Sequence, residues 1–125
     1  MLNVKIDTKE IFHVITPLNT SISANMSEEL NKTIIKTQES ENKSIILNLS
    51  NVHQCDAQFV VELMRLEKFF KEKQKSFVLC NLQEEFKKQT SLTKGLAELN
   101  IAPTESEAWD IAQMEEIERE LGGVD

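Results

Sequence analysis

Residues 44–56 read Ser44-Ile45-Ile46-Leu47-Asn48-Leu49-Ser50-Asn51-Val52-His53-Gln54-Cys55-Asp56, and this stretch decides the fold. Its first six residues form a short apolar run behind the polar Glu39–Lys43 turn, which predicts a strand over 44–49. Residues 50–56 predict a loop. Beyond it, Phe59, Val60, Leu63, Leu66 and Phe70 fall on one side of a helix predicted over 57–74, and Glu67 and Lys71 form a favourable exposed i,i+4 pair. Asp56 stands where the N-cap of that helix belongs. A strand followed by a loop and a helix is the building unit of a parallel sheet. In open parallel sheets, ligands and partners meet the carboxyl ends of the strands, so the Ser50–Gln58 loop is the geometric centre of interest.

Outward from that unit the same alternation continues. Upstream, residues 4–7 and 11–15 are strand candidates joined by the short Thr8-Lys9-Glu10 turn, the second ending before Pro17. Thr16 to Ser23 reads as polar and irregular. Met26, Leu30 and Ile34, with Ile35, set one apolar stripe on a helix over about 24–38, capped by Ser23 or Asn25. Downstream, Phe77–Cys80 predicts a strand, Gln83–Thr90 a short helix and Leu99–Ile101 a last short strand. Pro103 then precedes a final helix over about 104–121, where Thr104 and Glu107 have capping-box spacing and Gly122-Gly123 supply a stop. Ala108, Ile111, Ala112, Met114, Ile117 and Leu121 read as its core-facing stripe. The order β-β-α-β-α-β-α-β-α predicts a single α/β domain over residues 1–125: a mixed, mainly parallel sheet of about five strands with about four helices.

Charge sharpens this outline. The 125 residues carry a formal net charge of -7, and residues 104–125 hold eight acids and one base, so the remainder sums to zero. A neutral body with an acidic end is a poor match for phosphate backbones, which excludes nucleic-acid binding. No apolar run approaches the ~20 residues of a membrane span, so direct membrane insertion is not expected. Met1-Leu2-Asn3-Val4-Lys5 has no apolar signal core. Cys55 and Cys80, without CxxC spacing, read as reduced thiols of a cytoplasmic protein. They stand at the same sheet edge and could be neighbours; packing as small buried hydrophobes outweighs a redox pair. Arg65, Lys68, Lys71, Lys73 and Lys75 gather on the 57–74 helix and its end, so the chain carries two opposite poles.

Catalytic constellations are sparse. His13 sits in a strand and reads as a surface or half-buried side chain. His53, Cys55 and Asp56 crowd one loop, but ligands from a single loop rarely close a tetrahedral metal site, and no metal or other cofactor is expected. There is no P-loop and no GxGxxG, which leaves nucleotide binding at the strand ends without a phosphate cradle. The chain reads as a non-enzymatic binding domain.

The stretch Ile45–Asp56 resembles the strand-and-loop signature of STAS domains, the anti-sigma-factor antagonist family. There, an apolar strand ends in Asp-Leu-Ser and a few residues later comes Asp-Ser-Ser-Gly and an apolar helix. Phe77-Val78-Leu79 resembles the family's next strand, and Leu99–Ala108 its last strand and the start of its final helix. The resemblance spans nearly the whole chain. It departs at the key positions: Asp-Leu-Ser is Asn48-Leu49-Ser50 here, and Asp-Ser-Ser-Gly is Asp56-Ala57-Gln58-Phe59.

In the family, the serine directly after that aspartate is phosphorylated by an anti-sigma kinase, and only the unmodified antagonist binds the kinase and frees the sigma factor. The acceptor position is Ala57 here, which has no hydroxyl. The resemblance thus implies a protein-binding module in transcription regulation and signal transduction that is never switched off at this site. It implies a bacterial protein whose partner surface includes Asn51, His53, Asp56, Ala57, Gln58, Glu62 and Arg65. The partners implied are an anti-sigma serine kinase or another STAS protein, a second copy of this chain included. Phe59, in place of the glycine, is either core or an exposed partner anchor. The alternative within the family is a soluble subunit of a lipid-transport ABC complex.

Overall fold

The computed structural model describes residues 1–90 and 99–122. Five strands form the main sheet: β1 (Val4–Thr8), β2 (Phe12–Pro17), β4 (Ser44–Asn48), β6 (Phe77–Cys80) and β7 (Ile101–Ala102), in that spatial order. β1 pairs antiparallel with β2 as a hairpin, and every other pairing is parallel. The helices are α1 (Ala24–Glu41), α2 (Ala57–Lys73), α3 (Glu84–Thr90) and α4 (Glu105–Gly122). This is the expected mixed sheet of five strands with four helices.

Period-two alternation splits the sheet's side chains between two cores. Ile15, Ile45, Leu47, Phe77 and Leu79 pack with Leu30 and Ile34 of α1, the α2 stripe from Phe59 to Phe70, and Phe86 of α3. Phe12, Val14, Ile46, Val78 and Cys80 face the other way, against Ala108 and Ala112 of α4. Among the described residues, three helices therefore cover one face and α4 covers the other. β4 is buried along its whole length because it has strands on both edges and helices on both faces.

The structure corrects several expectations. Thr16–Ser23 is not wholly irregular: β2 continues through Pro17, and β3 (Ser21–Ile22) pairs parallel with β5 (Gln54–Cys55) in a separate two-stranded sheet. Pro17 is tolerated because it is the last residue of β2, where the missing N–H interrupts no later ladder bond. Two-residue strands carry no period for a sequence to reveal. His13 is 3 % exposed rather than half-buried, because β2 lies between β1 and β4. Its Nδ1 lies 2.9 Å from Thr8 Oγ1, and burial holds its pKa below the ordinary 6.5.

The final helix is rotated relative to expectation. Only Ala108 and Ala112 of its apolar set are fully buried, while Met114, Ile117 and Leu121 are 63 %, 53 % and 68 % exposed. Polar clamps hold its inner face. Glu105 accepts from Asn48 Nδ2 at 2.9 Å and Trp109 Nε1 at 3.1 Å; Glu115 accepts from Ser76 Oγ at 2.5 Å and Asn100 Nδ2 at 3.1 Å; Arg119 donates to Ser76 Oγ at 3.1 Å. The expected Thr104 cap is present, with Glu107 N–H donating to Thr104 Oγ1 at 3.2 Å. Of the Gly122-Gly123 stop, Gly123 lies outside the described residues.

Candidate functional site

The loop after β4 is tied down on two sides. On one side, Thr20 O accepts from His53 N–H at 2.8 Å and Gln54 N–H at 3.2 Å, and Ile22 O accepts from Asp56 N–H at 2.9 Å. On the other, α3 and Gln83, the residue before it, grip the loop through side chains. Gln83 Nε2 donates to Ser50 O at 2.6 Å, and His53 Nδ1 lies 2.7 Å from Glu85 Oε1. The Gln89 amide accepts from Cys55 N–H and donates to Cys55 O, so it acts as a third strand on the free edge of β5. Sequence reading missed Gln83, Glu85 and Gln89 as site residues, because nothing local marks a seven-residue helix as a clamp on a loop some 30 positions away.

Asp56 is the N-cap of α2, its Oδ1 accepting from Gln58 N–H at 2.9 Å. Ala57 follows as the first helical residue, with both Asp56 and Ala57 exposed. Ser21, Ser23, His53, Asp56, Glu85 and Gln89 surround an open depression of about 470 Å³ beside this helix start. Asn51 is half-buried and donates to Pro17 O at 3.1 Å, so it braces the loop.

Glu62 departs from the expected partner surface. It is 5 % exposed, and its carboxylate accepts from Asn31 Nδ2 at 2.8 Å, Gln58 Nε2 at 2.8 Å and Arg65 Nη1 at 3.1 Å. The residue ties α1 to α2 and orients Gln58 and Arg65; a carboxylate with three donors already seated is not open to a partner. Phe59 is core: it is 1 % exposed and meets Phe86 edge-on at 5.9 Å between ring centroids, which holds α3 against α2. The two thiols are not neighbours at one edge, since Cys55 packs into the core under α1–α3 and Cys80 into the core under α4. Burial pushes Cys55 up to about 11 and Cys80 to about 12, so both are protonated near neutrality. Among the described residues, no group of three His, Cys, Asp or Glu side chains could hold a metal ion, and no helix is long and apolar enough to cross a membrane.

The family model of the STAS domain matches residues 3–108. The chain belongs to the STAS family. Solved structures similar to this STAS domain include a Thermotoga maritima protein named as a candidate anti-sigma factor antagonist (20 % identity, TM-score 0.77), with 88 % of this chain and 94 % of that chain covered. The anti-sigma factor antagonist SpoIIAA matches in its unphosphorylated form at 17 % identity and TM-score 0.64, over 90 % of this chain and 98 % of that chain. SpoIIAA of Bacillus in its phosphorylated form matches at 19 % identity and TM-score 0.62, over 88 % and 97 %. The murine anion transporter Slc26a9 matches at 17 % identity and TM-score 0.71, over 85 % of this chain and 18 % of that chain. A search of curated proteins found no match to the sequence. At these identities the structural likenesses establish the fold of this STAS domain, and the chemistry of its loop must be read from its own residues.

Proposed function

We propose that this STAS domain is a non-enzymatic regulatory module that docks a protein partner of the anti-sigma-kinase class through the start of α2, with no covalent off-switch there. The observation that carries the reading is Ala57: it is exposed in the first turn of α2, beside its cap Asp56, at the position where the family resemblance expects a phosphorylated serine. Phosphorylation would add a charge of about -1.5 to -2 at such a surface; a methyl group forbids it. His53, Asp56, Ala57, Gln58 and Arg65 are the contact residues in this reading, with Asn51 and Glu62 behind them as braces. A cytoplasmic setting goes with this partner class.

Calorimetric titration of the chain against serine-kinase anti-sigma factors of the same genome tests the reading. Saturable binding that is unchanged after incubation with kinase and ATP is expected; no binding to any of them removes it. Ala57→Ser returns a hydroxyl after Asp56, and poor modification is still expected because Gln58 and Phe59 also differ from the family pattern. Efficient phosphorylation of that variant would show that only the acceptor was lost. A second reading, a soluble subunit of a lipid-transport ABC complex, draws on the recurrence of this fold within a membrane transporter. Co-purification with a permease and its ATPase would favour it.

A further inference from the structure

Among the described residues, the larger apolar side chains on the outer face of α4 join neither core. Its inner face is defined by Ala108 and Ala112 with the Glu105, Glu115 and Arg119 clamps. Ile117 lies nine residues beyond Ala108, about 180° round the helix, and Met114 and Leu121 stand on the same outer strip, all three more than half exposed. Exposed acids flank the strip at Asp110, Glu118 and Glu120, on a helix with seven acids and one base. Three apolar side chains at i, i+3 and i+7 are the anchor pattern of a helix-to-helix contact.

A complementary strip exists on the chain itself. The outer face of α2 exposes Val61 (41 %) and Met64 (38 %), followed by Lys68 one turn on and flanked by exposed Arg65 and Lys71, with Glu72 the exposed acid among these bases. We infer that α4 of one copy docks on α2 of a second copy, apolar strip on apolar strip, with acids against bases. Pairing of α4 with α4 is disfavoured, because it would bring two strongly acidic helices together. α2 and α4 pack on opposite faces of the sheet. Ile117 and Leu121 share a groove with Lys71 at the end of α2, but the α2 anchors Val61 and Met64 are not part of it, so one neighbour does not cover both apolar strips of the same domain. The contact is therefore heterologous, leaves a free strip at each end and propagates head to tail. A single helix pair buries less than the ~1,200 Å² typical of stable complexes, so the association is weak and reversible. This inference does not depend on the docking partner proposed above.

Sedimentation of the full chain from micromolar to near-millimolar concentration tests it. At low salt the mean mass should climb past that of a dimer without a plateau, and high salt should reduce it as the flanking charges are screened. Ile117→Glu should spoil only the α4 strip and Met64→Glu only the α2 strip, so each variant alone sediments as a monomer. Mixed, they retain one good strip each and should form a dimer that grows no further. Leu121→Glu and Lys68→Glu serve as independent substitutes at exposed positions on the same strips. A wild-type monomer at all concentrations, a mass that levels at a dimer, growth insensitive to salt, or a mixture that stays monomeric would each overturn the inference.

Discussion

Asn48 shows how one side chain can be fixed by a partner far along the chain. It is buried at the end of β4, accepts from Ser50 N–H at 2.9 Å and donates to Glu105. The family pattern has aspartate at this point. An aspartate here would keep the Ser50 contact, lose the donor and set two carboxylates together. Asn48→Asp should therefore cost about 1–3 kcal/mol, read from the midpoint of urea unfolding, and the deficit should shrink as acid restores a proton to the pair. His13, whose Nε2 lies 3.8 Å from Glu41 of α1 on the opposite face of the sheet, gives a second pH dependence. Its folded pKa is depressed, chiefly by burial, so the unfolded chain binds the proton more readily. Its contribution to stability is complete above pH 6.5 and is lost as pH falls below that value, with a slope of at most about 1.4 kcal/mol per pH unit. Unfolding free energies between pH 7.5 and 5.5 (about one unit either side of the ordinary histidine pKa) should fall for the wild type and fall less for His13→Gln.

At the scale of elements, α2 and α4 are held by different means. α2 ends in a Schellman turn: Gln74 adopts φ 58° and ψ 42°, and Lys75 N–H donates to Phe70 O at 3.0 Å. A left-handed residue with a Cβ is strained there, so Gln74→Gly should stabilise the domain by about 0.5–1 kcal/mol in thermal or urea unfolding. α4 instead lies close to the sheet because alanines face it. Ala112 is fully buried, and Ala112→Leu should push the helix outward at a cost of about 1–3 kcal/mol. It should also strain the Ser76–Glu115 and Asn48–Glu105 clamps together. The apolar residues of α4 were legible in its sequence as a count, but not by direction. Alanine, glutamate and arginine can line an inner face when the strands beneath offer Ser76 and Asn48 as partners, and hydrophobicity alone cannot register that.

At the scale of the whole molecule, the two cores on opposite faces of one sheet should open together. Cys55 lies in one and Cys80 in the other, and both thiols are held protonated by burial. A thiol reagent at neutral pH should label neither in the native state. In moderate denaturant both should react in step, at a rate that follows the global unfolding equilibrium. Labelling of Cys55 well before Cys80 would show that the loop and α3 open as a separate unit.

The alternation of strands and helices, the parallel sheet, the Asp56 cap, the resemblance to STAS domains and the loss of a hydroxyl at position 57 could all be read from the order of residues alone. Each is a local property: an apolar period, a capping residue or an identity at one position. Folding in three dimensions was needed to show that Glu62 is enclosed, that Phe59 is core, that α3 clamps the loop, that the cysteines belong to separate cores and that α4 turns its larger apolar side chains outward. Those outcomes depend on which surface lies opposite a residue. That is set by contacts between positions tens of residues apart, where a buried donor or a close-packed alanine outweighs the preference of the isolated side chain.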